Sequence, residues 1–329
     1  QLPINDPTEV FGLHPNAEIS CARAEAFGLF STLLSLQPRT GGGGGSSPEE
    51  VVATVASEIE GKVPRPWAID EVMDKYPTDY LESMNTVLVQ ELTRFNKLLI
   101  VIRSSLANVQ KAIKGLVVMS AELEAVFNSI FNNQVPDLWA KKAYPSRKPL
   151  GSWVSDLTQR VAFLQSWVDN GKPSIFWISG FFFTQSFITG TRQNYARKHG
   201  IAIDQINFHF EVLSHVRVDP PPEAPAEGCL IHGLYLDGCR WDSDKGVLGE
   251  SEPKILYAEV PVIWLKPTTS PVPTEGIYDA PVYRTSARKG TLSTTGHSTN
   301  FVLFILLPSD KPQKHWVKRG VAMLCALDD

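Results

Sequence analysis

Near residue 205 the hydrophobic pattern of this 329-residue sequence changes its period. Before that point apolar residues recur at intervals of three and four, as they do on one face of a helix. After it they alternate in short runs punctuated by Pro and Gly, as they do in strands. A polypeptide that switches once between these periods builds its two parts from different elements. The expectation is an α+β protein, with an N-terminal helical part followed by a small antiparallel β-barrel, incomplete and of about six strands. Three stretches result: 1–135, helical with a Gly-rich loop at 40–48; 136–206, a connector and further helices; and 207–329, the barrel.

The strongest periodic signal is Leu88, Leu92, Phe95, Leu99, Ile102, Leu106, Val109, Ile113 and Leu116, spaced as a heptad seam and continued by Ser120, Leu123, Phe127 and Ile130. Gly115 and the following Leu-Val-Val-Met run argue for a break, because Gly and Val are poor inside helices. Ser120, with Glu122 and Glu124 behind it, reads as a fresh N-cap. The seam therefore predicts two helices packed within a domain rather than a free coiled coil.

An earlier helix is expected over about Glu18–Gln37, with Ile19, Ala22, Ala26, Phe30, Leu33 and Leu34 near one face and Pro38 as its stop. The Thr40–Pro48 run, TGGGGGSSP, is a solvated loop, and Pro48, Glu49 and Glu50 suit the start of the next helix. The connector holds Pro136, Pro145 and Pro149 and a basic cluster (Lys141, Lys142, Arg147, Lys148) that reads as a solvated face. Further helices are expected over about Leu150–Asp169 and Gly180–His199. The apolar stretch Ile175–Ile188 is interrupted by polar residues and falls short of the ~20 apolar residues a bilayer needs, so it reads as a buried core helix.

Beyond Asn207, residues Phe208, Phe210 and Val212 alternate with His209 and Glu211. Cys229–Leu236 reads as a strand, and Asp237-Gly238 as a hairpin turn into Cys239, Arg240 and a core residue, Trp241. Val260, Val262 and Trp264 share one face of a strand that Pro261 marks as an edge. Tyr278, Ala280 and Val282 line another face. The uninterrupted apolar run Phe301–Leu307 predicts a strand buried on both sides, and Val321–Leu327 a last one.

The chemistry tests return nothing. Hydrophobic residues make up 43% and charged residues 20%, enough to bury a core, and the net charge of −4 argues against a dedicated nucleic-acid binder. The four cysteines (Cys21, Cys229, Cys239, Cys325) include no CxxC pair, which excludes a disulfide framework and fits a reducing compartment. His209, Glu211 and His215 suggest a metal site, but strand residues six apart lie roughly 20 Å from each other, beyond the span of one ion. GHSTN (Gly296–Asn300) resembles a nucleophile elbow with its strand and helix in reversed order. Neither Gly61-Lys62 nor Gly171-Lys172 has the glycine that a phosphate loop places five residues earlier. No catalytic, cofactor-binding or metal-binding residue is expected, and no cofactor. The first residue is Gln1 rather than Met, which points to a piece of a longer polypeptide.

Several runs are highly particular: FGLHPNAEI (Phe11–Ile19), QELTRFNKLL (Gln90–Leu99), YPSRKPLGSWVSDL (Tyr144–Leu157), FWISGFFFTQSFITGTRQNYARK (Phe176–Lys198), GLYLDGCRWD (Gly233–Asp242), LSTTGHSTNFV (Leu292–Val302) and the closing RGVAMLCALDD. Together they resemble the C-terminal region of a dynein heavy chain, of axonemal and inner-arm type, over essentially the whole sequence. The resemblance implies a position after the sixth AAA+ module of a motor ring, with helices and an incomplete antiparallel barrel lying on one ring face. It implies that nucleotide hydrolysis and microtubule binding belong to other parts of the heavy chain. It further implies ring modules as partners, a regulatory rather than catalytic role, and an axoneme in the cytoplasm, cilium or flagellum. The residues alone also permit a stand-alone β-barrel recognition module with a helical dimerisation arm.

Overall fold

A computed structural model describes residues 6, 8–11, 13–36, 47–288, 290 and 299–328. The protein forms two compact units. One takes the described residues of Gln1–Thr40, Ser174–Phe176 and Ile206–Ala326; the other takes those of Gly41–Pro173, Trp177–Gln205 and Leu327–Asp329.

Helix α1 (Asn16–Leu36) belongs to the first unit. The second unit contains α2 (Pro48–Lys62), α3 (Ile69–Lys75), α4 (Ser83–Ile113), α5 (Ala121–Phe131), α6 (Asp137–Ala140), α7 (Leu150–Asn170) and α8 (Thr184–His199). Helix α4 is its axis. Leu88, Leu92, Phe95, Leu99, Ile102, Leu106 and Val109 are all 0% exposed, and Val87 and Leu98 widen the buried face. Burial of each such residue contributes about 1.5–3 kcal/mol. The wide face meets α2, α3, α5, α6, α7 and α8, which makes α4 the core of a bundle and not one strand of a coiled coil. The seam stops where the sequence breaks it. Gly115 takes a left-handed conformation at φ +72°, and the Ser120 hydroxyl accepts the Leu123 N–H at 3.3 Å to start α5. Leu116, also expected on the seam, is exposed because it lies past this break.

Two buried charged groups hold the bundle together. Glu91, on α4 and fully buried, accepts the backbone N–H groups of Phe182 and Phe183, the latter at 2.8 Å. That satisfies a carboxylate whose burial is otherwise costly and fixes the backbone just before α8. Arg160 on α7 donates to Asp156 at 2.7 Å and lies 3.9 Å from the Tyr144 ring centroid. Burial, the largest influence, pushes the Tyr144 phenol well above its ordinary range. Next to this pair Trp139 stacks on Trp153, and its Nε1–H donates to the Ser105 hydroxyl at 2.8 Å.

The β unit departs from the expected barrel. Among the described residues there are eleven strands in three open sheets. The strands are β1 (Ile175–Trp177), β2 (Asn207–Leu213), β3 (Cys229–His232), β4 (Tyr235–Asp237), β5 (Cys239–Asp242), β6 (Val247–Glu250), β7 (Tyr257–Glu259), β8 (Val262–Thr268), β9 (Ile277–Tyr283), β10 (Phe301–Pro308) and β11 (Ala322–Leu324). Their orders are β1-β3-β8-β2, β10-β9-β11-β4-β7 and β5-β6. Strands β2 and β10 come alongside each other without pairing, so the sheets do not close into one barrel. Nor is the pairing wholly antiparallel, because β11 runs parallel to β9. A helix of six residues, α9 (Gln313–Lys318), intervenes between β10 and β11. It lets the backbone return on the far side of β9, and it is too short to leave a helical period in the sequence.

Other expectations are corrected in the same way. Ile175–Ile188 is not one helix. Its first residues form β1 beside β3, and α8 begins only at Thr184. Asp237-Gly238 is a corner between sheets rather than a hairpin turn, since β4 pairs with β11 and β7 while β5 pairs with β6. Gly238 has φ +82°, and an added Cβ would stand 3.0 Å from the Arg319 carbonyl, so only glycine turns this corner. Asp237 pairs with Arg288, whose guanidinium also donates to the Gly320 carbonyl at 2.6 Å. Strand β8 is central, not an edge. Pro261 precedes its first residue, where a missing N–H breaks no ladder bond. Val260 lies outside that strand, and its N–H donates to the Leu234 carbonyl. Phe301–Leu307 is an edge strand with Phe304 45% exposed. Tyr278, Ala280 and Val282 do share a buried face, and Trp241 is buried with its Nε1–H donating to the Ser214 hydroxyl at 2.8 Å.

Candidate docking surfaces

The residues tested for chemistry do not converge. His209 and Glu211 lie on the exposed face of β2, and His215 sits beyond the end of that strand. Among the described residues no group of three or more His, Cys, Asp or Glu side chains could hold a metal ion. Residues 296–298 of GHSTN lie outside the described residues; Asn300 is buried and donates to the carbonyl and hydroxyl oxygens of Thr285. Gly61-Lys62 falls in the last turn of α2, and Lys172 pairs with Glu82 at 3.2 Å. Cys229, Cys239 and Cys325 are buried free thiols and Cys21 is exposed. Burial, reinforced by Asp237 and Glu250, pushes the Cys239 thiol far above its ordinary range, which disfavours the thiolate.

What the surface does offer is apolar. Helix α1 is anchored at its first residue. The Asn16 amide donates to the Glu252 and Ile255 carbonyls at 2.9 and 2.8 Å, and its Oδ1 accepts the Lys254 N–H at 2.8 Å. Beyond this anchor the helix is exposed. Phe27 and Phe30 are 71% and 62% accessible, and Ile19, Ala22, Ala26, Leu29 and Leu33 form an exposed row at alternating spacings of three and four. That row is the pattern with which a helix packs on another helix, and α1 has no such partner among the described residues of its unit. A helix of 21 residues extends about 32 Å, so the row is a sizeable surface. The sequence showed the apolar face of α1 but not its exposure. In the helical unit the Leu116–Met119 link is a second exposed apolar run.

A family model described as the C-terminal domain of the dynein heavy chain matches residues 23–325. The protein belongs to that family. Its similarity to curated dynein heavy chains extends over nearly all of its length. It is 56% identical over 328 residues to dynein axonemal heavy chain 1 of Rattus norvegicus, covering 99% of this sequence and 7% of that protein. It is 56% identical over 329 residues to dynein axonemal heavy chain 3 of Homo sapiens, covering 100% of this sequence and 8% of that protein. To dynein axonemal heavy chain 12 of Homo sapiens it is 50% identical over 333 residues, with 100% and 11% covered. The sequence therefore spans only a small part of the dynein heavy chains it matches. The match to the C-terminal domain begins at residue 23, inside α1, while similarity to whole heavy chains takes in 99–100% of the sequence. Helix α1 thus begins before the residues that the family model matches. No helix among the described residues is long and apolar enough to cross a membrane.

Proposed function

We propose that this protein is the non-catalytic C-terminal domain of an axonemal dynein heavy chain, docked on the AAA+ ring of the same polypeptide and regulating ATP-driven movement on microtubules in a cilium or flagellum. The exposed row of α1 carries the reading. A helix that presents an apolar stripe to solvent lacks a partner, and about nine-tenths of the relatives' length lies outside this sequence. In this reading residues 1–135 follow from the sixth module, 136–206 connect, and 207–329 are the part that leans on the ring. Contacts made in only some ring conformations shift the motor's equilibrium, with a coupling of about 1–3 kcal/mol typical of allostery.

The test is amide hydrogen exchange of α1 in the full heavy chain, with and without the substitutions Phe27→Ser, Phe30→Ser and Leu33→Ser, alongside microtubule gliding and basal ATPase. Docking predicts slow exchange of α1 in the unsubstituted protein, fast exchange in the variant, and altered gliding with ATP turnover retained. An α1 that exchanges freely in the intact heavy chain would overturn docking, and unaltered gliding would reduce the domain to passive support. The same three-and-four spacing also suits pairing of α1 with a second copy. Sedimentation of the 329-residue protein, expected to be dimeric in that case, separates the two.

A further inference from the structure

Between α3 and α4 the linker is held by hydrogen bonds on either side of Tyr80 and yet directs two large side chains into solvent. The Tyr76 hydroxyl donates to the Trp167 and Val168 carbonyls at 2.8 and 3.0 Å. The Asn85 amide donates to the Pro77 carbonyl at 3.0 Å, and Asp79 Oδ1 accepts the Leu81 and Glu82 N–H groups at 2.9 and 3.3 Å. The Ser83 N–H donates to Asn194 Oδ1 at 2.9 Å. The Ser83 hydroxyl donates to Gln193 Oε1 at 2.8 Å and accepts from Arg197 at 2.6 Å. The guanidinium of Arg197 then stands 4.1 Å from the Tyr80 ring centroid. Held in this way, Tyr80 is 75% exposed and Leu81 78% exposed.

We propose that Tyr80 and Leu81 are a docking point, separate from α1, that inserts into an apolar cleft of the same heavy chain outside residues 1–329. The proposal rests on the docking reading above and adds to it the contact residues of the helical unit. A surface linker has no need of such fastening, whereas a contact point gains from it, because ordering completed before binding is not charged against affinity. Tyr and Arg are the residues that most often dominate interfaces, and here a tyrosine ring is presented with an arginine beside it. Size selects the occupant. A tyrosine buries roughly 150–250 Å² and a leucine no more. The tip therefore falls well short of the approximately 800 Å² per partner of a stable complex between separate proteins. A partner tethered in the same polypeptide needs no such area, because its effective concentration is already high. Since residues 1–329 correspond to only 7% to 11% of the relatives, that tethered partner is most of the molecule.

The experiment is site-specific photo-crosslinking in the full-length heavy chain. p-Benzoylphenylalanine replaces Tyr80 in one preparation and Phe30 of α1 in another, and the crosslinked peptides are identified by mass spectrometry. The expected result is a crosslink from position 80 to a peptide of the same heavy chain outside residues 1–329. Leu81→Asp should abolish it while leaving the Phe30 crosslink in place. A crosslink from position 80 to a different polypeptide overturns the proposal. So does one that survives Leu81→Asp, or none from position 80 while Phe30 still crosslinks; in that last case the docking reading stands. Failure of both positions to crosslink removes the two together.

Discussion

Helix α4 buries every residue of its seam from Leu88 to Val109, whereas α1, with the same spacing at Ile19, Ala22, Ala26, Leu29 and Leu33, leaves the whole row in water. The two faces ask for the same thing. Six helices of the same unit answer α4, and no described element of its own unit covers the row on α1. Periodicity therefore reports that a face needs a partner and is silent on whether the partner lies within the same 329 residues.

Substitutions can sharpen this contrast. In α4, Phe95→Ala should destabilise the helical unit by about 3–5 kcal/mol, because the ring is fully enclosed and the surroundings collapse only partly into the space it leaves. Chemical denaturation of the 329-residue protein measures it. A loss below about 1 kcal/mol would mean that the seam is no more of a core than α1 is. Arg160→Ala should cost a comparable or slightly smaller amount, about 3 kcal/mol at the low end for breaking a buried pair, since it strands Asp156 and uncovers Tyr144. Glu91→Ala should cost about 1–3 kcal/mol by leaving the N–H groups of Phe182 and Phe183 without their acceptor, and exchange at those two amides should accelerate. Ser120→Ala, which removes only the cap of α5, should cost about 1 kcal/mol in the same denaturation assay. Phe30→Ala in α1 should fall within about 0.5 kcal/mol of zero, as at an ordinary surface site. A large effect there would show that α1 is already packed and would remove the contrast.

The helical unit was legible where its signals were local. The break at Gly115 and the cap at Ser120 are written within a few residues, and the structure places them there. Glu91 was not legible, since an acid in mid-helix reads as solvent-facing and its partners lie 91 and 92 residues away. The β unit suffered more from distance. Asp237-Gly238 has the chemistry of a hairpin turn, but a turn forms a hairpin only if the strands on either side pair with each other. Here the one before it pairs instead with residues near 323 and 258. The exposed apolar surface was half legible: the apolar face of α1 could be read from the residues, whereas its exposure, and that of Tyr80 and Leu81, could not.

The place of β11 has a consequence for synthesis. This strand, Ala322–Leu324, lies in the middle of its sheet, with β9 on one side and β4 on the other, although both are made before it. On a ribosome adding about 5–20 residues per second, the interval between Asp237 and Leu324 is on the order of ten seconds. Throughout it, β4 and β9 each present an open edge to whatever other polypeptide is near. Sheet assembly in the nascent protein therefore waits on its last strand, and a polypeptide stopped after Gly320 would hold two half-sheets with nothing to join them.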